Sequence, residues 1–319
     1  MQKPRVASMF AGIGGICYGF KQANFEIVWA NELDSYSCNT YRYNLGNNYL
    51  IEGDIREIDI KIIPDFDILT AGFPCQSFSI GGTQKGFKDN RGILFFEVAR
   101  IMGLHRPLIV FLENVENLIK HDNGKTFLVI YNVLAAYGYS ICYNIMPTYE
   151  YGNVPQARKR IYILAFRNRK HFENYKFPTP IPLTKKINDI VNLSEKKDDI
   201  FYYSNTIKIY DKIDKFIGKN HRLFRIYNGQ IRNIRNPELC PTLTASMNNI
   251  YNAIVLRDSH GIRRLTIRET LNFQGFSPDY SFPDVIKISE AYKQIGNSVS
   301  VTVIKRIADQ IMTLFKNEV

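Results

Sequence analysis

Short apolar runs alternate with amphipathic stretches every 20–30 residues along the first 170 residues of the chain. Several runs are continuous and rich in β-branched or aromatic residues, which is typical of strands buried on both faces of a sheet. The predicted strands are Arg5–Phe10, Glu26–Ala30, Tyr49–Glu52, Phe66–Ala71, Leu108–Leu112, Ser140–Asn144 and Ile161–Phe166. The predicted helices lie near Gly15–Ala23, Ser35–Asn44, Gly92–Leu104 and Lys125–Tyr137. This alternation predicts an α/β domain with a mostly parallel sheet.

The character of the sequence changes after Phe177. Three prolines within five residues mark a linker, and residues 184–260 are rich in Lys, Asn, Ile and Tyr without a clean period. A helical pattern returns over Ser289–Phe315, and we expect this terminal helix to complete the first domain. The sequence therefore predicts a first domain of residues 1–180, completed by 285–319, and a smaller, irregular domain over 181–284.

Composition excludes several classes of protein. The chain is 45% hydrophobic and 22% charged, which is ordinary for a water-soluble globular protein, and its 319 residues suffice for a large core. No apolar run approaches the roughly 18–20 residues of a membrane span, and the N-terminus does not resemble a signal peptide. Five scattered cysteines without a Cys-x-x-Cys pair favour a reducing compartment and no zinc site. We expect a cytoplasmic protein that holds no metal and has no membrane partner.

The net charge of +11 is confined to one segment. Residues 158–235 contain 19 Lys or Arg and 7 Asp or Glu, a net of +12, so the rest of the chain sums to −1. Such a local excess is typical of a face that binds a polyanion. A merely well-solvated, lysine-rich surface is the alternative.

Polar or glycine residues follow the first three predicted strands. Gly12, Gly14 and Gly15 lie where backbone N–H groups can approach a ligand, although a tight structural turn would also use them. Glu32 ends the second strand and could accept hydrogen bonds from a ribose diol, and Asp54 follows the third and could accept one from an adenine amino group. Together they predict a crevice for a nucleoside cofactor. Because the third glycine of the dinucleotide fingerprint would fall at Cys17, a nicotinamide enzyme is disfavoured.

Reactive side chains follow the later strands. Cys75 comes after the fourth strand and precedes a glycine-rich segment, so it is a candidate nucleophile, whereas the default for the other cysteines is a small buried hydrophobe. Glu113 ends the fifth strand and would lie beside it. Arg158 and Arg160 precede the seventh strand on one face, where two guanidinium groups could hold a base carbonyl, a carboxylate or phosphates.

These segments, in this order, resemble the bacterial cytosine-5 DNA methyltransferases of restriction–modification systems. The resemblance covers everything except roughly residues 175–260. The matching runs are Phe-Ala-Gly-Ile-Gly-Gly (10–15), Asn-Glu (31–32), Gly-Asp-Ile (53–55), Gly-Phe-Pro-Cys-Gln-Ser-Phe-Ser (72–79), Phe-Leu-Glu-Asn-Val (111–115), Tyr-Gly-Asn-Val-Pro-Gln-Ala-Arg-Lys-Arg (151–160), Arg-Arg-Leu-Thr-Ile-Arg-Glu (263–269), Gln-Gly-Phe (274–276) and Tyr-Lys-Gln-Ile-Gly-Asn-Ser-Val (292–299).

The resemblance implies a Rossmann-like methyltransferase sheet, S-adenosylmethionine as cofactor, and a target-recognition domain with its hinge in the second region. Cys75 would add to carbon 6 of a flipped-out cytosine, Glu113 would bind N3 and the amino group, Arg160 would bind the O2 carbonyl, and Arg158 would orient the cluster. The implied cofactor-binding residues are Phe10, Gly12, Gly15, Glu32, Asp54, Ile55, Pro74, Leu94, Asn297 and Ser298. The implied DNA-binding residues are Ser79, Arg91, Thr242 and Thr244.

The family implies double-stranded DNA as partner, a monomer, localisation in the cytoplasm and at the nucleoid when bound to DNA, and a possible pairing with a restriction endonuclease. Two readings compete with this one. A tRNA cytosine-5 methyltransferase would use the same residues, but that branch typically has Pro-Pro-Cys where this chain has Phe73-Pro74-Cys75. An inactive DNA-binding regulator is disfavoured by the intact Cys75, Glu113, Arg158 and Arg160.

Overall fold

The computed structural model describes residues 3–73 and 94–316. All seven predicted strands are present, as β1 (Arg5–Met9), β2 (Glu26–Glu32), β3 (Leu50–Glu52), β4 (Ile68–Ala71), β5 (Ile109–Val115), β6 (Ser140–Pro147) and β7 (Lys159–Phe166). They form one sheet in the order β3-β2-β1-β4-β5-β7-β6. The five strands from β3 to β5 are parallel, and β7 runs antiparallel to β5. The predicted mostly parallel α/β sheet is confirmed.

Helices connect the parallel strands. Those of the first region are α1 (Gly15–Gln22), α2 (Ser35–Leu45), α3 (Leu94–His105), α4 (Lys125–Ala136) and α6 (Arg169–Asn174). Local chemistry sets their starts: the side chain of Asp34 accepts a hydrogen bond from the amide of Ser37 at 2.8 Å, which caps α2. Buried residues of β4, β5, α3 and α4 form one apolar core, in which Phe95, Ile101, Val110 and Ile130 have no exposed surface.

Strand order reverses at β1, since β2 and β3 lie to one side of it and β4 and β5 to the other. In open α/β sheets, ligands bind outside the carboxyl ends of the strands at such a switch point. The glycine turn after β1, Glu32 and Asp54 all follow strand ends at this edge. The topology therefore brings three of the predicted cofactor segments together.

The prediction of one terminal helix over Ser289–Phe315 is wrong. The chain forms two helices, α9 (Ile288–Asn297) and α10 (Val301–Lys316), separated by residues 298–300. Ser298 is extended, with ψ −178°. The amide of Val301 donates to the carbonyl oxygen of Gln274 at 2.9 Å, so it does not continue the ladder of α9. The apolar spacing alone does not reveal this break.

The chain forms two compact units. The first comprises Met1–Met146, Lys159–Thr179 and Val303–Val319, and the second comprises Pro147–Arg158 and Pro180–Thr302. Thr179 ends a segment of the first unit, and Pro180 begins a segment of the second. Residues 147–158 and 285–302, which we expected in the first domain, lie in the second unit, because their hydrogen bonds run to residues 240–243 and 273–274.

The second unit contains a four-stranded antiparallel sheet that the sequence did not predict. Its strands are β8 (Phe224–Tyr227), β9 (Gln230–Asn233), β10 (Ile254–Asp258) and β11 (Gly261–Arg264), in the order β11-β10-β8-β9. The helices of this unit are α5 (Thr148–Tyr151), α7 (Tyr210–Ile217), α8 (Ile267–Phe273) and α9. Asn228 and Gly229, with φ of 46° and 69°, form the two-residue turn between β8 and β9. Strands of four or five residues that each contain arginine are too short to show an apolar alternation.

No helix among the described residues is both long and apolar enough to span a bilayer. Within the same residues, no group of three or more His, Cys, Asp or Glu side chains is arranged to hold a metal ion.

Candidate functional site

The turn after β1 has a left-handed backbone at three of five positions. Phe10, Gly12 and Gly14 have φ of 54°, 55° and 83°. A bulky residue such as Phe10 rarely adopts this conformation, and such strain is concentrated at ligand sites. A Cβ at Gly12 would meet no atom within 4 Å, so open space lies over the backbone of the turn. The turn therefore leaves room for a ligand at the N-terminal end of α1.

Glu32 is held at the end of β2 by three backbone amides. Gly12 donates to Oε2 at 2.8 Å, while Leu33 and Asp34 donate to Oε1 at 2.9 and 2.8 Å. A carboxylate has about four acceptor positions, so capacity remains on Oε2 for a further donor. These bonds fix the carboxylate beside the glycine turn, which is the arrangement that a ribose hydroxyl would need.

Asn31 is a positioning residue that sequence reasoning missed. Its buried side chain donates to the carbonyl oxygens of Ile51 at 3.1 Å and Gly53 at 2.9 Å, and its own carbonyl accepts from the amide of Ala11 at 2.9 Å. It thereby joins the glycine turn to the loop that carries Asp54. A buried amide directly before Glu32 was the available signal.

Asp54 is paired with Arg56, whose guanidinium Nε lies 2.9 Å from Oδ1 and 3.0 Å from Oδ2. Hydrogen bonding to this guanidinium lowers the pKa of Asp54 to about 2. Ile55, the next residue, is buried, and Arg100 donates to its carbonyl oxygen at 2.8 Å. Leu94 is half-buried at the start of α3. Asp54 is therefore ionised at neutral pH and can accept hydrogen bonds.

Glu113 and Arg160 meet on neighbouring strands. The carboxylate of Glu113 is buried on β5, and Arg160 Nε on β7 lies 3.3 Å from its Oε1. That oxygen is inaccessible to solvent and has no hydrogen-bond partner among the described residues. An unsatisfied buried carboxylate oxygen is costly and is a common feature of functional sites. The space beside the Glu113 carboxylate is left open by Gly72, because a Cβ on Gly72 would lie 3.7 Å from Oε2 of Glu113.

Asn114 anchors the segment that leads to the predicted nucleophile. Its side chain donates to the carbonyl oxygen of Phe73 at 2.9 Å, and the Phe73 ring packs near that of Phe95, with centroids 5.7 Å apart. The next residue is Pro74. Four residues with predicted roles, Pro74, Cys75, Ser79 and Arg91, lie outside the described residues.

The other four cysteines do not have the character of nucleophiles. Cys17, Cys38 and Cys240 are fully buried, and Cys142 is half-buried. Burial raises the pKa of Cys17 and Cys240, and it raises those of Cys38 and Cys142 to about 12. Their thiolate populations at neutral pH are therefore negligible.

Arg158 lies in the second unit and is 3% exposed. Its Nη1 donates to the carbonyl oxygens of Leu243 at 3.3 Å and Gly296 at 3.5 Å, and its Nη2 donates to that of Ser298. The structure thus brings Glu113 together with Arg160, and it engages Arg158 with the backbone of its own unit.

The remaining predicted residues lie near this arginine. Thr242 donates through its hydroxyl to the carbonyl oxygen of Ala157 at 2.8 Å, and the hydroxyl of Thr244 lies 3.0 Å from that of Ser246. Asn297 is exposed at the end of α9, whereas Ser298 is buried. Gln156 and Gln274, which sequence reasoning did not single out, complete the polar cluster, with Nε2 of Gln156 3.2 Å from Oε1 of Gln274.

The sheet, the glycine turn and the amide-held glutamate at the switch point define an α/β enzyme of the class that binds a nucleoside cofactor. Residues 4–313 match the family described as C-5 cytosine-specific DNA methylase. The chain belongs to this family, and it is a DNA cytosine-5 methyltransferase. The family uses S-adenosylmethionine as its methyl donor.

Named relatives agree over nearly the whole chain. The type II methyltransferase M.Bsp6I of Bacillus sp. (strain RFL6) is 46% identical over 311 residues, covering 96% of this chain and 98% of the relative. M.HhaI of Haemophilus parahaemolyticus is 37% identical over 313 residues, covering 96% and 94%. The predicted family, fold class and activity are confirmed.

Solved structures show the same fold. The S. pombe Dnmt2 methyltransferase superposes with a TM-score of 0.75 at 20% identity, covering 98% of this chain and 99% of that one. A putative DNA modification methyltransferase encoded within an E. coli prophage superposes with a TM-score of 0.70 at 20% identity, covering 98% and 100%.

Proposed function

We propose that this enzyme methylates carbon 5 of one cytosine within a short duplex sequence and that it binds S-adenosylmethionine at the carboxyl ends of β1 to β3. The observation that carries the cofactor proposal is the open, left-handed turn at Phe10–Gly14 with its amide bond to Glu32. Glu32 would accept from the ribose and Asp54 from the adenine amino group. Gly15, Ile55, Pro74, Leu94, Asn297 and Ser298 would complete the contacts. When bound, the cofactor supplies an electrophilic methyl group.

The buried pair of Glu113 and Arg160 supports recognition of the flipped base. Cytosine presents a ring nitrogen and an amino group on one edge and a carbonyl oxygen beside them. Oε1 of Glu113 could accept from the amino group, a proton held between the carboxyl group and the ring nitrogen would join the two acceptors, and the guanidinium of Arg160 could donate to the carbonyl. Hydrogen bonds from these groups would stabilise the charge that develops on the ring when a nucleophile adds to it.

Cys75 would supply that nucleophile. Its thiolate would form a bond to carbon 6, moving the ring electrons toward carbon 5, which thereby becomes nucleophilic. After methylation, a base such as a water molecule would take the carbon-5 proton. The electrons of that bond would form the double bond between carbons 5 and 6, and the bond from carbon 6 to sulfur would break to release the thiolate. Two observations support this role: the other four thiols are buried or half-buried with raised pKa values, and Asn114 anchors the residue before Pro74.

A mechanism-based adduct tests the scheme. Duplex DNA in which 5-fluorocytosine replaces cytosine carries no proton that can leave from carbon 5. We expect wild-type protein with S-adenosylmethionine to form a covalent complex that survives denaturation, and Cys75→Ser to form none while still binding both ligands. Absence of the adduct with active wild-type protein would disprove the addition–elimination scheme.

The hairpin of β8 and β9 supports DNA binding by the second unit, as the target-recognition domain. The guanidinium of Arg222 lies 5.1 Å from the ring centre of Phe224, and those of Arg225 and Arg232 each lie 5.7 Å from that of Tyr227. Arg225 and Arg232 are directly opposite in register. Within the described residues, none of the three arginines has a carboxylate within 4.0 Å. Such a surface suits phosphate and base contacts.

Thr242 and Thr244, with Ser79 and Arg91, would approach the DNA near the extruded nucleotide. We propose double-stranded DNA as the partner, a monomer as the acting species, and a location in the cytoplasm, at the nucleoid when bound. The type II designation of the relatives supports a cognate restriction endonuclease. Bisulfite sequencing of DNA from cells expressing the gene would identify the methylated cytosine. Methyl transfer to tRNA without transfer to DNA would favour the RNA alternative.

A further inference from the structure

Arg158 joins two segments that are more than 50 residues apart. One is the Thr242–Ala245 segment, which we propose approaches the DNA, and the other is the Asn297–Ser298 segment, which we propose contacts the cofactor. The guanidinium donates to the carbonyl oxygen of Leu243 and also to those of Gly296 and Ser298. A planar fork of five donors can hold three acceptors in one fixed arrangement, which a lysine ammonium cannot reproduce.

The carbonyls that Arg158 binds on the second segment are at the end of a helix. Gly296 lies in the last turn of α9, and Ser298 follows directly after its last residue. The last carbonyls of a helix have no partner within it and carry partial negative charge, so a guanidinium there both satisfies and stabilises them. Arg158 thereby fixes where α9 ends and how Asn297 is presented.

Gly296 shows how closely the two segments are packed. A Cβ on Gly296 would lie 2.1 Å from the carbonyl carbon of Thr244 and 2.3 Å from the amide nitrogen of Ala245. Because those atoms belong to the backbone, they cannot yield as a flexible side chain would. A displacement of one segment is therefore transmitted to the other.

The support around Arg158 has the same purpose. The amide of Leu243 donates to Oε1 of Gln156 at 3.2 Å, and Nε2 of Gln274 donates to the carbonyl oxygen of Ile295 at 2.8 Å. Gln156 and Gln274 contact each other. The side-chain amide of Gln156 thus holds the segment that contains Leu243, the side-chain amide of Gln274 holds the end of α9, and the guanidinium of Arg158 bridges the two.

We infer that Arg158 is a positioning residue that couples cofactor binding to DNA binding by clamping the Thr242–Ala245 segment to the Asn297–Ser298 segment. The inference rests on the proposed function of those segments. Ordering of one segment by its ligand fixes the other in advance, so each ligand raises the affinity for the second. Such coupling is reciprocal, and coupled sites typically change affinity by about 5–150-fold.

The test is a binding cycle on the full-length protein. The dissociation constant of S-adenosylhomocysteine is measured by calorimetry with and without a saturating duplex that the wild-type enzyme methylates. We expect the duplex to tighten wild-type binding about tenfold or more. In Arg158→Lys that factor should fall to about twofold or less, and because the coupling is the ratio of the two dissociation constants it is measured whether or not the affinity without DNA changes.

Arg268→Lys is the matched control. Arg268 also donates to two backbone carbonyls of the second unit, those of Ser277 and Tyr280, and within the described residues it makes no hydrogen bond with either clamped segment. It should retain wild-type coupling. Gly296→Ala, which forces the segments apart, provides a second variant if Arg158→Lys does not fold, and it should also lose coupling.

Three outcomes would overturn the inference: no coupling in the wild type, wild-type coupling in Arg158→Lys or Gly296→Ala, or equal loss in Arg268→Lys. Failure of the proposed function would give a different result. The wild-type protein would then fail to bind S-adenosylhomocysteine, or fail to bind duplex DNA, so no coupling factor could be measured at all.

Discussion

Polar side chains at the strand ends of the first unit and in the polar cluster of the second unit differ in how fully they are hydrogen-bonded. At the strand ends, Glu113 keeps a buried oxygen without a hydrogen-bond partner among the described residues, and Glu32 keeps acceptor capacity. In the second unit, Gln156 and Arg158 are engaged with backbone groups. Arg158 and Arg160 are two residues apart, yet they belong to different units. Whether a polar side chain is available for catalysis or serves to hold the fold therefore depends on which atoms it already bonds, more than on its residue type.

This difference has an energetic consequence. A polar group at the strand ends that has an open hydrogen-bonding position gains its partner only when substrate binds, so its removal should affect turnover. A polar group of the second unit that is already hydrogen-bonded in the free protein stabilises the fold, so its removal should affect the free energy of unfolding. Substitutions in the two regions therefore test this difference.

The largest effect should come from the buried ion cluster of the second unit. Arg263 is fully buried, with Nε 2.6 Å from Asp258 and its two terminal nitrogens 2.8 Å from the oxygens of Glu269. Arg263→Leu would leave two buried carboxylates without their cation, and we expect a loss of about 3–5 kcal/mol in the free energy of unfolding. Chemical denaturation measures it.

Arg257→Leu is the control for that variant. Arg257 pairs with Asp214 in the same unit, but the side chain of Asp214 is 48% exposed. An exposed ion pair contributes about 0–1 kcal/mol. Equal destabilisation by the two variants would contradict the view that burial makes Arg263 important.

The next effect is on turnover. Glu113→Gln keeps the shape of the side chain but removes the carboxyl group that would supply a proton to the ring nitrogen. We expect kcat to fall about 10²–10³-fold, with a melting temperature close to that of the wild type, because the amide oxygen of the variant can still face the guanidinium of Arg160. Glu116→Gln, an exposed change three residues later, should retain full activity. A large drop in melting temperature for Glu113→Gln would mean that the group is structural.

How far the sequence predicts the molecule follows from the same contrast. The seven-stranded sheet was predictable because its strands are buried apolar runs, and Glu32 and Asp54 were predictable because they follow strand ends. The sheet of the second unit was not, since β8 and β9 each carry an arginine and together bury only three residues. The environment of Arg158 was equally hidden, because its acceptors are backbone carbonyls 85–140 positions away, which no residue type signals.

A smaller effect should come from the β8–β9 hairpin. Each arginine that contacts a phosphate contributes about one to the slope of the logarithm of DNA affinity against that of salt concentration. We expect the double variant Arg225→Ala/Arg232→Ala to reduce the slope by about two without affecting cofactor binding. Arg169→Ala/Lys170→Ala removes the same charge from α6 in the first unit and should leave the slope nearly unchanged. Equal slopes for the two double variants would remove the hairpin from the DNA surface.

The smallest effect concerns Arg56 and tests whether the strand-end acceptors depend on local support. Without its guanidinium, the pKa of Asp54 should rise from about 2 toward 3.8 in Arg56→Ala, as an NMR titration of the carboxyl carbon would measure. A depressed pKa stabilises the fold above pH 3.8, and this contribution is lost as the pH falls through about 2. Because Arg56 is exposed and Asp54 is half-buried, solvent screens the pair and the loss of stability should be small. At neutral pH Asp54 stays ionised in both proteins, so the affinity for S-adenosylhomocysteine should change by less than about fivefold. A larger loss would assign the cofactor contact to Arg56 itself.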